Sequence, residues 1–176
     1  MEIYNKESIV IGLNKTTNDF IECIKTYNSQ SFEATPDGKW SAGQNLEHLY
    51  RAIKPVAMAF GLPVFIPRLL FGKANRPSKT FNGLLEKYNG KLATGGRAGA
   101  RFVPPPVAFV QKEKLATKFE KQKDKLIKKV NRFSEIELDK YILPHPLLGK
   151  LTFREMLFFT IFHNEHHLHT LQQRNL

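Results

Sequence analysis

The stretch that most constrains the fold lies near the end of the chain, where residues 152–175 read TFREMLFFTIFHNEHHLHTLQQRN. Thr152 and Glu155 form a capping-box pattern, in which each side chain satisfies the other residue's free backbone N–H group, so a helix is predicted to begin here. From Met156 to Phe162 the sequence is apolar almost throughout, and a helix that is apolar all round must be covered on every side. The sequence therefore predicts a helix in the middle of a helical packing arrangement.

Histidines follow directly on this predicted helix. His163 and His167 lie four residues apart and continue the line of Met156 and Phe159, so both rings are predicted to point inward. Two imidazoles one helical turn apart can both reach one metal ion at about 2.0–2.1 Å from each nitrogen. A helix with several histidines is also commonly a solvated face, and the pair alone leaves that alternative open.

A third histidine lies on another predicted helix. Ser41 and Gln44 form a second capping box, so this helix is predicted to start at Ala42, and Pro55 is expected to kink or end it. The apolar positions of the helix face a core, and His48 lies beside them. From the residues alone, His48 is either a metal ligand or a histidine at the edge of the core that is hydrogen-bonded to a neighbour.

Two further long amphipathic helices are predicted at Glu7 to about Asn28 and at Gln111 to Arg132. Each carries an apolar stripe at three-to-four-residue spacing, which is typical of a helix with one buried face. The four stripes together predict the core. Its predicted members include Leu13, Phe20, Ile24, Leu49, Ile53, Leu115, Phe119, Leu126, Leu157 and Ile161.

Residues 61–110 connect the second and third long helices, and a structureless connection of that length is implausible in a compact domain. Short helices are predicted within it at Pro67–Phe71 and Phe81–Tyr88. No alternating strand pattern is visible. The predicted fold class is therefore all-α: a four-helix bundle forming a single domain over residues 1–176, with a long connection between the second and third helices.

After the third long helix the chain is predicted to form a linker. Pro144, Pro146 and Gly149 are expected to keep this part of the chain out of helix. His145 lies between the two prolines, in a rigid turn that places it either at the mouth of a site or in solvent. It is not assigned as a ligand.

Cysteine content and hydropathy limit the compartment and class of the protein. Cys23 is the single cysteine, which excludes an internal disulfide framework, and the N-terminus lacks a basic region followed by an apolar run. The longest apolar run, Leu62–Phe71, is interrupted by prolines and an arginine and falls short of the ~20 apolar residues of a membrane-spanning helix. A cytoplasmic protein without a membrane partner is expected.

The chain is basic, with 27 lysines and arginines against 16 acidic residues and a net charge of +11. This charge could attract nucleic acid, anionic lipid or anionic substrates, or could keep the protein soluble. Residues 111–132 contain nine basic and three acidic residues around an apolar stripe, which is typical of a solvated helix face. Because no RNP aromatics, cysteine-based zinc finger or KH glycine loop accompany them, nucleic acid is not favoured as a partner.

Two segments resemble a known family. WSAGQNLEHL at Trp40–Leu49 and HPLLGKLTFREMLFFTIFHNEHH at His145–His167 are similar to the DinB-like family of four-helix metal-binding proteins, which is distinct from the translesion polymerase that shares the name. The resemblance extends over most of the chain, from the first helix to the C-terminus. It implies a metal site made by a histidine eight residues after the tryptophan and by a His-x-x-x-His pair on the last helix.

Carried over to this chain, the implied metal ligands are His48, His163 and His167. Many members of the family have a glutamine three residues after the last ligand, where this chain has Thr170. Other polar residues near the ligands are expected to orient the rings or to be exposed. The candidates for orienting the rings are Glu47, Asn164 and His166. His166 and His169 lie off the ligand line, so each of them is expected either to be exposed or to contact a ligand.

Three histidine ligands leave at least one position of a divalent ion open, which is the arrangement of a catalytic metal site. The resemblance implies a hydrolase or a low-molecular-weight-thiol transferase acting on a small molecule, the thiol itself being one candidate substrate. Zinc or nickel is expected, because a neutral three-nitrogen site prefers first-row divalent ions to Mg²⁺ or Ca²⁺. A non-catalytic metal-binding bundle, with a homodimer as one form, is the alternative, and a basic nucleic-acid-associated protein is a weaker one.

Overall fold

The computed structural model describes residues 3–97 and 99–174 of the chain. Within them the chain forms eight α-helices: α1 (Lys6–Lys25), α2 (Ser29–Glu33), α3 (Ala42–Ala59), α4 (Phe65–Phe71), α5 (Phe81–Ala93), α6 (Lys112–Val130), α7 (Glu135–Lys140) and α8 (Phe153–Gln172). Short 3₁₀ turns lie at Pro36–Gly38, Ala100–Phe102 and Phe109–Gln111. The prediction of a mostly helical protein is confirmed. Among the described residues, no helix combines the length and the apolar character needed to cross a bilayer.

The four long helices α1, α3, α6 and α8 pack around one core. α1 contacts α6 and α8, and α3 contacts the same two helices, so each long helix has two long neighbours. Every residue of the predicted core is buried, with less than a tenth of its surface exposed. These residues are Leu13, Phe20, Ile24, Leu49, Ile53, Leu115, Phe119, Leu126, Leu157 and Ile161.

Helix α8 begins at the predicted capping box and is covered on nearly every side. The Thr152 hydroxyl accepts a hydrogen bond from the backbone N–H of Glu155 at 3.1 Å, and the Glu155 carboxylate accepts one from the N–H of Thr152 at 2.9 Å. α1, α3, α5 and α7 all pack against α8, and its residues from Phe153 to Asn164 are buried without interruption. The apolar run of the sequence thus takes the central place predicted for it.

The prediction of a chain without strands is wrong between α7 and α8. Strands β1 (Ile142–His145) and β2 (Gly149–Thr152) form an antiparallel hairpin, in which Ile142 pairs with Thr152 and His145 with Gly149. The prolines do not prevent this pairing, because both strands of a two-stranded sheet are edges and a missing N–H group can face outward. Gly149 takes a positive φ of 78°, as the tight return of the chain requires.

Three helical details also differ from the prediction. α2 lies between the first two predicted long helices, where no helix is predicted, and α5 runs to Ala93, beyond the predicted end at Tyr88. α3 continues past Pro55 to Ala59, although a proline removes one backbone donor from the helix. Ile53 and Ala57 on either side of the proline are buried in the core, so packing outweighs the lost hydrogen bond.

Glu155 joins the start of α8 to the connection between α4 and α5. Its carboxylate is fully buried and accepts hydrogen bonds from both terminal nitrogens of Arg76, at 2.6 and 2.9 Å, and from the backbone N–H of Lys79 at 2.8 Å. Burial alone would raise the pKa of Glu155, but these hydrogen bonds and the one from Thr152 hold the pKa below its ordinary value. The ion pair therefore fastens the long connection to the central helix.

The Glu155→Ala substitution is expected to lower the free energy of unfolding by about 3 kcal/mol, because it leaves a guanidinium and two backbone N–H groups without their acceptor. Glu137 occupies the same position in the capping box of α7, where its hydrogen bonds run to Ser134, so Glu137→Ala is expected to cost about 1 kcal/mol or less. Urea denaturation of both variants measures the difference. Equal losses in the two variants would show that the buried ion pair adds nothing to the cap.

Candidate metal centre

Three buried histidines from two helices meet in the interior. His48 lies on α3, His163 and His167 lie on α8, and their exposed fractions are 4%, 7% and 8%. The Nε2 atom of His163 is 3.1 Å from Nε2 of His48 and 3.2 Å from Nε2 of His167. Each of the three rings offers a nitrogen within 4.8 Å of those of the other two. The structure thus brings together the three histidines singled out in the sequence.

Asn45 sets the protonation of His167. The Nδ2 group of Asn45 donates to the backbone carbonyls of Trp40 at 3.1 Å and Ser41 at 2.8 Å, so its carbonyl oxygen is the atom that faces Nδ1 of His167, at 2.6 Å. Because that oxygen can only accept a hydrogen bond, Nδ1 carries the proton. The lone pair of His167 is therefore on Nε2, facing the other two histidines.

A backbone carbonyl sets the protonation of His48 in the same way. Nδ1 of His48 is 2.8 Å from the carbonyl oxygen of Phe102, which can only accept, so the lone pair of His48 is also on Nε2. Phe102 belongs to the long connection between α3 and α6. The side chain of Gln44 holds that connection against α3 by donating to the carbonyl of Pro104 at 3.3 Å. The connection thus completes the histidine cluster.

The donor atoms fit a single divalent transition ion. Two nitrogens bound to one ion at about 2.0–2.1 Å are about 3.0–3.4 Å apart at ordinary coordination angles, which is the spacing found on either side of His163. Without a cation, the lone pairs of His48 and His167 both face Nε2 of His163. That nitrogen carries at most one proton, so it can donate a hydrogen bond to only one of the two lone pairs. A cation between the three rings would give every inward lone pair a partner.

Burial keeps the three imidazoles neutral. Loss of hydration lowers the pKa of His163 and of His167 well below 6.5, and the neighbouring histidines lower both pKa values further. Loss of hydration also lowers the pKa of His48, against the opposing effect of its hydrogen bond to Phe102. Neutral imidazole is the form that binds a metal ion, so these rings need to lose few protons before binding.

Aromatic rings surround the cluster. Trp40 lies with its ring centre 4.9 Å from that of His48 and is parallel to His167 at 6.4 Å. Phe159 stacks on His163 at 4.7 Å, and Tyr88 of α5 meets His163 edge-on at 6.4 Å. These apolar faces limit the access of water to the histidines, which strengthens electrostatic interactions inside the cluster.

Two of the three residues predicted to orient the ligand rings, Glu47 and Asn164, have other partners. Glu47 pairs with Arg51 at 2.6 Å, and the amide of Asn164 donates to the hydroxyls of Thr16 and Thr17. His166 and His169 are exposed, and the ring of His166 also meets that of His167 edge-on, with ring centres 5.2 Å apart. Sequence reasoning missed the two acceptors that hold the rings. The amide of Asn45 was recognisable as a polar group three residues before His48 on the same helix face, whereas the carbonyl of Phe102 left no signal in the sequence.

His145 stabilises the turn of the hairpin. Its Nδ1 accepts hydrogen bonds from the backbone N–H groups of Leu147 at 3.2 Å and Leu148 at 3.0 Å, and its ring packs on Phe159 at 4.1 Å. Burial, followed by the charge of Lys87, lowers the pKa of His145 to about 4. These hydrogen bonds and its packing on Phe159 give His145 a structural role in the hairpin.

Comparison with known proteins relates the chain to a family. A family model described as the DinB superfamily matches residues 13–171, which include all three histidines. The fold is similar to that in the crystal structure of the colibactin self-resistance protein ClbS in complex with a double-stranded DNA, with a TM-score of 0.52 and 16% identity over 97% of this chain and 97% of that chain. At this identity the likeness concerns the fold alone. No curated protein matches the chain.

Acidification is expected to destabilise the metal-free protein below about pH 6.5. Histidines of the unfolded chain gain protons at their ordinary pKa of about 6.5, whereas the folded pKa values of His48, His163 and His167 are lower. The unfolded state therefore binds more protons, and the free energy of unfolding falls as the pH decreases from 6.5 towards 5. Urea denaturation in the presence of a chelator, repeated across this range, measures the slope.

The His163→Gln variant is expected to show a shallower slope, because one of the buried imidazoles is gone. His169→Gln changes an exposed histidine of the same helix and provides the matched control, with a slope like that of the parent. A free energy of unfolding in the parent that does not change between pH 7 and pH 5 would contradict the neutral burial of the cluster.

Proposed function

The chain belongs to the DinB superfamily, and we propose that it is a metal-dependent enzyme in which His48, His163 and His167 hold one divalent transition ion. The observation that carries this proposal is the convergence of three buried Nε2 atoms at 3.1 and 3.2 Å. Two of these atoms have their lone pairs fixed inward by acceptors on the far side of the ring. A set of three neutral nitrogen donors favours zinc or nickel over Mg²⁺ and Ca²⁺.

Three protein ligands suit a reactive ion better than a structural one. Structural zinc sites take four protein ligands, whereas catalytic sites keep a position free for water or substrate. An ion bound by these residues supplies Lewis acidity and lowers the pKa of a water or thiol that reaches it. The proposed reaction class is accordingly hydrolysis, or transfer of a low-molecular-weight thiol, on a small molecule.

The residues around the ligands support this chemistry by holding them still. Asn45 fixes the ring of His167, and the carbonyl of Phe102 fixes the ring of His48, so both rings are oriented before any ion arrives. Trp40 and Phe159 cover the flanks of the cluster. We propose that the four long helices act as a four-helix bundle within one domain, and that the connection through Phe102 completes its site.

A non-catalytic metal-binding protein is the alternative within the same chemistry. It would bind the ion equally well and show no turnover of ester, amide or thiol-acceptor substrates. The single cysteine, Cys23, is half-buried and free, which suits a reducing compartment such as the cytoplasm in either case. Assays on metal-loaded protein distinguish the two functions. An enzyme turns over substrate and loses this turnover when a ligand is replaced, whereas a metal-binding protein shows no turnover in the parent.

Protein purified without chelators is expected to contain about one equivalent of transition metal per chain. His48→Ala and His167→Ala each remove one of three ligands and are expected to leave little metal bound. His169→Ala removes an exposed histidine of α8 and is expected to retain the parental content. Elemental analysis measures all four proteins. Equal metal in all of them would place the ion outside the buried cluster.

Asn45→Ala is expected to weaken metal affinity about 10–100-fold, because His167 loses the acceptor that orients its ring. Asn164→Ala is the matched control: this amide is also buried and lies next to His163 in sequence, but it bonds to Thr16 and Thr17. It is expected to reduce stability and to leave metal affinity near the parental value. Competition with a chromophoric chelator measures both affinities, and similar losses in both variants would contradict the orienting role.

Binding of duplex DNA is a second candidate function, supported by the structural likeness to ClbS in its DNA complex and by the distribution of charge. Residues 61–110 contain eight basic residues against one acidic residue, Glu86, and residues 111–132 contain nine against three. The structural likeness weakens the sequence-based expectation that nucleic acid is not a partner. Basic residues concentrated in two segments are a suitable footprint for phosphates.

DNA binding of this kind is expected to depend strongly on salt. With about three phosphate contacts, affinity for a DNA duplex falls tens-fold between about 50 and 200 mM salt. Lys91→Gln and Arg97→Gln, both exposed in the basic segment, are expected to weaken binding, whereas Lys15→Gln on α1 serves as a charge-matched control. Fluorescence anisotropy measures affinity. Absence of binding at low salt would remove this function and leave the metal-centred one intact.

A further inference from the structure

Helix α4 exposes most of its apolar surface. Phe65, Leu69 and Leu70 are 64%, 83% and 64% exposed, and only Pro67 of this helix is buried. Met58, at the end of α3, and Leu62, in the following turn, are exposed as well. These five side chains, at positions 58, 62, 65, 69 and 70, are named the apolar patch. Single exposed apolar side chains are ordinary on a protein surface, whereas five within thirteen consecutive residues are a candidate interaction site.

The helix that carries the apolar patch is held firmly in place. α4 packs on β1 through its buried face, and Gly72 ends it with a φ of 89°, a backbone conformation that favours glycine. The chain then runs beside the end of α7, where Lys73 forms a bridge with Tyr141 and the N–H of Ala74 donates to the carbonyl of Lys140 at 2.9 Å. The exposure of the patch is therefore a property of an anchored element.

A basic cavity adjoins the end of α4. It has a volume of about 170 Å³ and is lined by Phe71, Lys73, Arg76 and Lys150 together with smaller and apolar side chains. Lys150 is tied to α4, because its ammonium group donates to the carbonyl of Phe71 at 3.2 Å. Glu155 pairs with Arg76, and none of the described residues that line the cavity is acidic. Lys73 and Lys150 thus make the cavity positively charged.

We propose that this face of the protein binds the surface of an anionic membrane. The apolar patch would enter the boundary between headgroups and acyl chains, and Lys73 and Lys150 would meet the lipid phosphates. Exposed leucine and phenylalanine side chains flanked by basic residues are the combination that holds peripheral proteins on anionic bilayers. Such an association needs no spanning helix. It departs from the expectation drawn from the sequence, which is a protein without a membrane partner.

Charge argues against a second copy of the chain as the occupant. A symmetric contact would place the same patch on both partners and bring Arg68, Lys73 and Lys150 of one copy towards the same cations of the other. Duplex DNA has the complementary charge, but most of its contacts with proteins are polar contacts to phosphates and base edges, which would leave most of the five apolar side chains without a partner. An anionic bilayer matches both the charge and the aliphatic character of this face.

The membrane-binding face lies apart from the histidine cluster. The cavity touches Thr152 at the start of α8, and His163 follows eleven residues later, about 16 Å along the helix axis. Variants of the face should therefore leave the metal content unchanged. This separation allows membrane binding and metal binding to be tested independently.

The test is cosedimentation of the full chain with vesicles of phosphatidylcholine alone or mixed with phosphatidylglycerol. The parent is expected to bind the mixed vesicles, to bind less in high salt, and not to bind phosphatidylcholine alone. Leu69→Gln with Leu70→Gln is expected to reduce partitioning about tenfold or more through the lost apolar transfer. Lys73→Gln and Lys150→Gln are each expected to reduce it about fivefold. Val110→Gln, which changes an exposed side chain outside the patch, is the control and should bind like the parent.

Three results would overturn the proposal. The first is no binding to the anionic vesicles by a parent whose circular dichroism shows it to be folded. The second is sedimentation velocity without lipid that shows a dimer in the parent and a monomer in the Leu69→Gln, Leu70→Gln variant, which would assign the patch to a second copy. The third is equal loss of vesicle binding in the Val110→Gln control, which would show that the effect is not confined to this face.

Discussion

Helix α8 is buried on nearly every side, and the polar groups that it takes into the interior determine how the rest of the chain is arranged. At its start the carboxylate of Glu155 requires Arg76 from the long connection. In its middle the amide of Asn164 requires hydroxyl groups from α1. In the same part of the helix and one turn later, His163 and His167 face His48 from α3. Within the described residues every buried side-chain nitrogen or oxygen lies within hydrogen-bond distance of another polar group, so the packing of α8 depends on polar contacts as well as on shape.

The histidine cluster differs from these other buried groups in one respect. Arg76 and the threonine hydroxyls match their partners as donor to acceptor, whereas the cluster places two inward lone pairs against a single nitrogen. A cluster with a purely structural role would be more stable with a further hydrogen-bond donor in place of this nitrogen, because a buried acceptor without a donor costs free energy. A cation resolves the mismatch, and for this reason the geometry favours a metal site over a cluster of core histidines.

Much of this arrangement was accessible from the sequence because it depends on local patterns. The capping boxes at Thr152 and Ser41 gave the starts of α8 and α3, and the apolar periodicity gave a core whose predicted members are all buried. The inward direction of three histidines followed from helical spacing and from the resemblance to the DinB-like family.

What could not be predicted depends on contacts between distant residues. The carbonyl of Phe102 lies 54 positions from His48, and the hairpin at 142–152 forms despite its prolines because both of its strands are edges. The exposure of α4 could not be predicted from the sequence either, because a short apolar segment shows the same pattern whether other elements cover it or not.

We propose that one ion binds to the three Nε2 atoms of the cluster, and anomalous diffraction from crystals of metal-loaded protein tests this most directly. We expect a single strong anomalous peak within bonding distance, about 2.0–2.1 Å, of Nε2 of His48, His163 and His167, with Nδ1 of His167 still facing Asn45. A peak on the exposed His166 or His169, or coordination through Nδ1 of any ring of the cluster, would contradict it.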